Sequence, residues 1–196
     1  SLAAAIGSGI PVADASGCFI LQMGEGLTEG AIISMGRVVV TDYSLQAGKL
    51  LSEKIAWEIK KDSLVELPNH EIERIKKFVQ LGAKGNKKIK VSGQDLRKRV
   101  PREIEIENDF VAEIVHQVVG KYLDLLNQIM SKIPPELTTD IIDKGLLLSG
   151  SLSMLNGLEE HLIKELKIPV ASVDVPDTTV IKGISFVLEN LQLYKE

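Results

Sequence analysis

A chain of 196 residues with 44% hydrophobic and 26% charged residues can bury one sizeable core, with room for a small insertion, and is too apolar to remain disordered. A single cysteine excludes a disulfide scaffold and a cysteine-rich zinc module, and a formal charge of -4 argues against a general nucleic-acid binder. No apolar run approaches the ~20 residues of a membrane span, and the opening SLAAAIGSGIPV lacks the basic start and long apolar stretch of a secretory leader. The cytoplasm is the default expectation.

In chain order, the first marked strand is Cys18 to Met23, apolar at nearly every position, as in a strand covered on both faces. Gly24, Glu25 and Gly26 break it. Runs from Ala31 to Met35 and from Val38 to Leu45 follow. The link Gly36-Arg37, with glycine first, predicts a type II′ hairpin turn, so three consecutive antiparallel strands are expected. Leu51, Ile55 and Ile59 recur at helical spacing, which predicts a helix from Gly48 to Lys61.

Apolar density then drops. Residues Ser63 to Glu107 read as an inserted unit with a helix near Asn69–Leu81 and short strands near Ile89–Val91 and Glu103–Ile106. Asn108 reads as the cap of a long helix from Asp109 to Lys132, stopped by Pro134-Pro135. Its stripe runs through Val111, Ile114, Val115, Val118, Val119, Tyr122, Leu125, Leu126 and Ile129. The remainder alternates strand (Gly145–Ser149), helix (Leu155–Leu166), strand (Val170–Val173) and helix (Thr178–Leu193), which implies parallel pairing in an α/β sheet.

The order βββ-α-(insertion)-α-β-α-β-α is that of a ribonuclease-H-like unit, the module that actin-type ATPases duplicate. LAAAIGSGIPV from Leu2, GEGLTE from Gly24 and PPELTTDIIDKGLLLSGSLSMLNGLEEHLIKELKIPV from Pro134 make the chain resemble the MreB family of bacterial actin homologues. The resemblance runs from Leu2 to Leu191 and corresponds to the C-terminal half of such proteins, subdomains IIA and IIB. It implies a ribonuclease-H-like, IIA-like subdomain over 1–62 and 108–196, carrying a small α+β, IIB-like insertion over 63–107.

ATP and magnesium are the ligands that the resemblance implies. In the family, the turn between the first two strands reads Asp-Ile-Gly-Gly-Gly-Thr-Thr-Glu, and its backbone N–H groups cradle phosphates, since glycine permits close approach. This chain reads Gln22-Met23-Gly24-Glu25-Gly26-Leu27-Thr28-Glu29. Gly24, Gly26 and Thr28 are kept; with Gly48 and Gly150 they are the implied cofactor-binding residues. Gln22 replaces the Asp that helps hold the metal and brings no charge to a hard cation. Glu25 sets an anion beside an anion site, a repulsion of about 1 to 4 kcal/mol per unit-charge pair at ~4 Å.

Three further contacts depart. Ala47-Gly48-Lys49 stands where the family has Gly-Gly-Asp, and Gly150-Ser151-Leu152 where it has Gly-Gly-Gly near the adenosine. Lys76-Lys77-Phe78 replaces Lys-His-Glu, whose Glu hydrogen-bonds the ribose; a phenyl ring cannot accept that hydroxyl. Departures at four nucleotide contacts read as a degenerate ATP site. The family's Glu that positions the attacking water lies just upstream of the Ala-Ala-Ala-Ile-Gly run, where this chain begins at Ser1, so no catalytic residue is assigned and no ATPase activity is expected of this chain. A fragment and a natural half-actin both remain open.

By resemblance, the function is cell-shape determination by an actin-like cytoskeletal protein. Self-association into filaments in the full-length form, cell-wall synthesis machinery as partner and a place at the inner face of the membrane are implied; nucleic acid is not. An active ATP-binding MreB-type ATPase and a non-filamentous actin-like adaptor are the alternatives.

Other residues read more plainly. His70, His116 and His161 are far apart with no i, i+4 partner, so solvated or packed histidines are expected and no metal site. Cys18 reads as an inert buried thiol. Lys84, Lys87, Lys88, Lys90, Arg97, Lys98, Arg99 and Arg102 form a basic stretch without interleaved aromatics, read as a solvated face. Trp57 and Phe78 read as packing residues, and Gly7-Ser8-Gly9 as a helix-to-loop exit.

Overall fold

The computed structural model describes residues 1–83 and 87–193, so Lys84 of the basic stretch lies outside the described residues. Helix α1 (Leu2–Gly7) leads into three antiparallel strands, β1 (Cys18–Met23), β2 (Thr28–Ser34) and β3 (Arg37–Ser44), followed by α2 (Gly48–Ser63). The middle of the chain forms β4 (Val65–Glu66), α3 (Asn69–Phe78), β5 (Lys88–Asp95) and β6 (Pro101–Glu107). Then come α4 (Asn108–Met130), α5 (Pro135–Lys144), β7 (Leu146–Ser149), α6 (Leu158–Leu166), β8 (Val170–Ser172) and α7 (Thr179–Glu189).

One sheet has the order β3-β2-β1-β7-β8, with β7 parallel to both β1 and β8, as the strand-helix alternation predicts. Side-chain alternation along β1 explains its unbroken apolar run. Phe19, Leu21 and Met23 join a core closed by α2, α4 and α6, while Ile20 joins Ala4, Ala5, Ala31 and Ile33 beneath α1 and α7. Each fully buried Leu or Ile contributes about 1.5–3 kcal/mol relative to exposure. The α4 stripe read from the sequence is buried throughout. Helices α1 and α7 touch backbone to backbone: a Cβ on Gly7 would overlap the Thr179 carbonyl, and one on Gly183 the Ala3 carbonyl.

A second, antiparallel sheet has the order β4-β5-β6. Its Val65, Val91 and Ile106, with Ile72 and Ile75 of α3, belong to the same contiguous core as α4. Its solvent face pairs charges across the strands: Lys88 with Glu107 at 2.9 Å, and Lys90 with Glu103 at 3.6 Å and Glu105 at 3.8 Å. Lys88 and Lys90 of the basic stretch are thus balanced by acids that the sequence places on the neighbouring strand.

Several expectations are corrected. The hairpin turn is Met35-Gly36, not Gly36-Arg37: Ser34 pairs with Arg37, and both turn residues have positive φ (52° and 72°), as in type I′. Asn108 does not cap α4 from outside. It is the first helical residue, and its buried amide accepts from the Gln80 N–H (2.8 Å) and donates to the Gln80 carbonyl (3.2 Å). Pro134-Pro135 does not merely stop a helix: α4 ends at Met130, and Pro135 opens α5, where its missing N–H costs no helical bond. The helix expected from Leu155 begins at Leu158, after a 3-10 turn over Ser151–Met154. Trp57 is not a packing residue; it is 58% exposed, and the Lys61 ammonium sits 5.0 Å from its ring centre.

Candidate functional site

The site is assembled where β1 ends. The turn after Met23 is closed by the Gly24 N–H, which donates to the Leu27 carbonyl at 2.9 Å. This turn rests on the start of α2: the Gly48 N–H donates to the Gly24 carbonyl (3.1 Å) and the Lys49 N–H to the Glu25 carbonyl (2.8 Å). A Cβ on Gly48 would overlap the Glu25 carboxylate, so that side chain folds back over the first turn of α2. A helix N-terminus carries partial positive charge and favours an anion there.

Gly150 closes the other side. Its φ of +90° suits glycine, a Cβ would overlap the Met23 carbonyl, and its N–H donates to the Pro176 carbonyl at 2.8 Å. Thr28 is buried, and its hydroxyl donates to the Gln46 carbonyl at 3.1 Å, holding the link from β3 to α2. Gly26 has open space around its Cα. Gln22, paired with Glu29 and Ser149, carries a buried Oε1 with no hydrogen-bond partner among the described residues. The fold therefore gathers Gly24, Gly48 and Gly150 around the end of β1 through backbone contacts, while the Thr28 hydroxyl serves the link behind them.

Beside this turn lies a cavity of about 710 Å³ lined by Glu25, Glu73, Lys76, Lys77, Ser151, Leu152, Met154, Leu155, Asn156 and Asp177. Lys76 is the central cation. Its side chain is 9% exposed, and its Nζ reaches Glu73 Oε1 at 2.8 Å, the Ser52 hydroxyl at 3.1 Å and Glu25 Oε2 at 3.9 Å. Ser52 in turn donates to the Gly48 carbonyl at 3.0 Å. Asn156 fixes the end of α3, its amide donating to the carbonyls of Lys77 (2.9 Å) and Val79 (3.2 Å). Phe78, half-buried, is the last residue of α3. Leu152 lines the cavity while most of its surface joins the core.

Sequence reading missed Ser52, Glu73, Asn156 and Asp177. Glu73 and Lys76 at i, i+3 on one helix were a legible pair; the other contacts cross between elements and had no local signal. The fold also joins His116 of α4 and His161 of α6 edge to face, with ring centres 4.9 Å apart. Burial, then the His116 charge, holds His161 below the usual imidazole range. Burial pushes the Cys18 thiol up to about 11, opposed by Lys144, so it stays protonated and unreactive. Among the described residues, no three His, Cys, Asp or Glu side chains gather as a metal site, and no helix is long and apolar enough to cross a membrane.

A family model described as MreB/Mbl protein matches residues 1–196. Cell shape-determining protein Mbl of Bacillus subtilis (strain 168) is 31% identical over 190 residues, covering 96% of this chain and 57% of that protein. Cell shape-determining protein MreB of Escherichia coli (strain K12) is 29% identical over 195 residues, covering 98% and 56%. Among solved structures, MreB 5 of Spiroplasma citri bound to AMPPNP superposes with a TM-score of 0.91 at 23% identity, over 99% of this chain and 59% of that one. A MamK double helical filament superposes with a TM-score of 0.76 at 14% identity, over 95% and 57%. These two likenesses establish an actin-like ATPase fold, and the chain spans little more than half the length of each relative. Matched over all its residues by the family model, the chain belongs to the MreB/Mbl family, whose named members determine cell shape.

Proposed function

We propose that the chain serves as the IIA/IIB half of a cell-shape-determining, actin-like protein that works by forming filaments, with a nucleotide site too altered for ATP hydrolysis. In this reading the IIA-like unit is 1–62 with 108–196 and the IIB-like unit is 63–107. The protein works in the cytoplasm at the inner face of the membrane, beside the cell-wall synthesis machinery. The observation that carries the altered-site reading is the Glu25 carboxylate lying over the start of α2. ATP and magnesium do not fit the residues present. Glu25, Glu73 and Asp177 line the cavity against Lys76 and Lys77, and Gln22 offers an acceptor without the charge that magnesium requires.

The chain's own residues then keep the turn, α2 and α3 packed together without a phosphate to bridge them. Steady-state phosphate release no higher than a protein-free blank is expected. Release above the blank that disappears on denaturing the sample would overturn the reading, as would micromolar binding of ATP with magnesium in calorimetry. Electron microscopy of the full-length protein tests assembly: filaments with and without ATP are expected, and dispersed particles under both conditions would sink the filament role. A second reading, a nucleotide-binding ATPase, draws on the Spiroplasma citri relatives solved with AMPPNP and with ADP.

A further inference from the structure

We propose that Glu25 is the resident anion of this cradle, an intramolecular stand-in for phosphate that, through Lys76, ties the β1–β2 turn to α2 and α3 without nucleotide. This rests on the altered-site reading and says how the site is filled.

Three observations converge. The Glu25 carboxylate occupies the space that a side chain at Gly48 would need, beside the start of a sixteen-residue helix whose partial positive charge favours an anion. The same carboxylate lies 3.9 Å from the Nζ of Lys76, whose side chain is nearly buried. Lys76 is also held by Ser52 of α2 and Glu73 of α3, so one cation is shared by three chain segments. Backbone bonds complete the tie, since Gly48 and Lys49 donate to the carbonyls of Gly24 and Glu25. A polyanion entering the cradle meets a carboxylate already in place and a lysine already balanced.

The probe is inorganic pyrophosphate, titrated by calorimetry into the parent, Glu25→Gln and the double variant Glu25→Gln with Lys76→Gln. Glu25→Gln should bind at least about five-fold more tightly than the parent, because one like charge is gone. The double variant should lose that gain. Equal affinity for Glu25→Gln and the parent would overturn the resident-anion role; with weak ATP binding by the parent, the altered-site reading would still stand. Micromolar ATP binding by the parent would instead sink that reading. Should Glu25→Gln fail to fold, hydrogen exchange of the parent decides. Added salt screens the Glu25–Lys76 pair and should speed exchange at the Gly48 and Lys49 amides. Exchange indifferent to salt would overturn the tie.

Discussion

The two sheets earn their places in the molecule differently. Strand β1 sends Phe19, Leu21 and Met23 to one side and Ile20 to the other, and helices close both sides. Strands β5 and β6 turn Val91 and Ile106 into the shared core and hold Lys88, Lys90, Glu103, Glu105 and Glu107 against solvent. Burial on both faces makes nearly every position of β1 stabilising. The charge ladder of the smaller sheet mainly sets strand pairing and solubility, because exposed ion pairs contribute little net free energy.

The largest effect should come from the doubly covered strand. Leu21→Ala should cost about 4–5 kcal/mol in urea unfolding, the upper part of the range for a buried leucine whose surroundings cannot collapse. Ile106→Ala, at the rim of the same core, should cost about 2 kcal/mol, because the edge of the smaller sheet can relax into the gap. Equal costs at the two positions would break the comparison.

Next comes the turn that joins β5 and β6. Asp95 accepts from the backbone N–H groups of Arg97 and Lys98, both at 2.9 Å, and from Arg102 at 3.2 Å. The Lys98 N–H above all, then the Arg97 N–H and Arg102, hold its carboxyl below the usual range against the opposing effect of desolvation. The folded state therefore favours the ionised form. Its stabilisation is present above the unfolded value near pH ~3.9 and is lost as pH falls through the lower folded value. Asp95→Asn should flatten the acid limb of thermal stability against pH; an unchanged limb would assign that limb to other groups.

Smaller still, Lys90→Ala should cost between about 0 and 1 kcal/mol, and less at high salt. A larger loss would mean that the ladder holds the sheet together after all. The smallest change concerns His161, whose neutral form burial favours, reinforced by His116 and Lys164 and opposed by Glu165. Its share of stability is present above the unfolded value near ~6.5 and falls as the solution is acidified through the lower folded value. Replacing His161 with Asn should remove a shallow dependence of the melting temperature in that window. A slope that survives the replacement would place its origin elsewhere.

Most of the fold was legible because its signals are local. The α4 stripe, the unbroken apolar run of β1 and the alternation of strands with helices each report a periodicity that burial then enforces. The errors fall where two local signals compete. Met35 takes a left-handed conformation that its side chain disfavours, because the register Ser34–Arg37 demands it. Pro135 reads as a breaker and serves as a starter, because the same fixed φ suits both roles. At the site, the glycine-rich turn was visible in the sequence. The fold of Glu25 onto α2 was not, since it depends on where α2 begins relative to the turn.

By itself, then, the sequence determined most of the helices and strands, though not β4 or α5, along with which faces are apolar and which family the chain resembles. Those properties repeat over a few residues and survive any arrangement of the elements. Only the tertiary structure decided that Lys76 meets Ser52 and Glu25, that His116 meets His161 and that Asn108 bridges to Gln80. These side chains are polar and stand 24, 51, 45 and 28 positions from their partners. Polar pairs of that kind carry no periodic signal; their positions are set by how closely α2, α3, α4 and α6 pack, and that spacing follows from the volumes of the apolar residues between them.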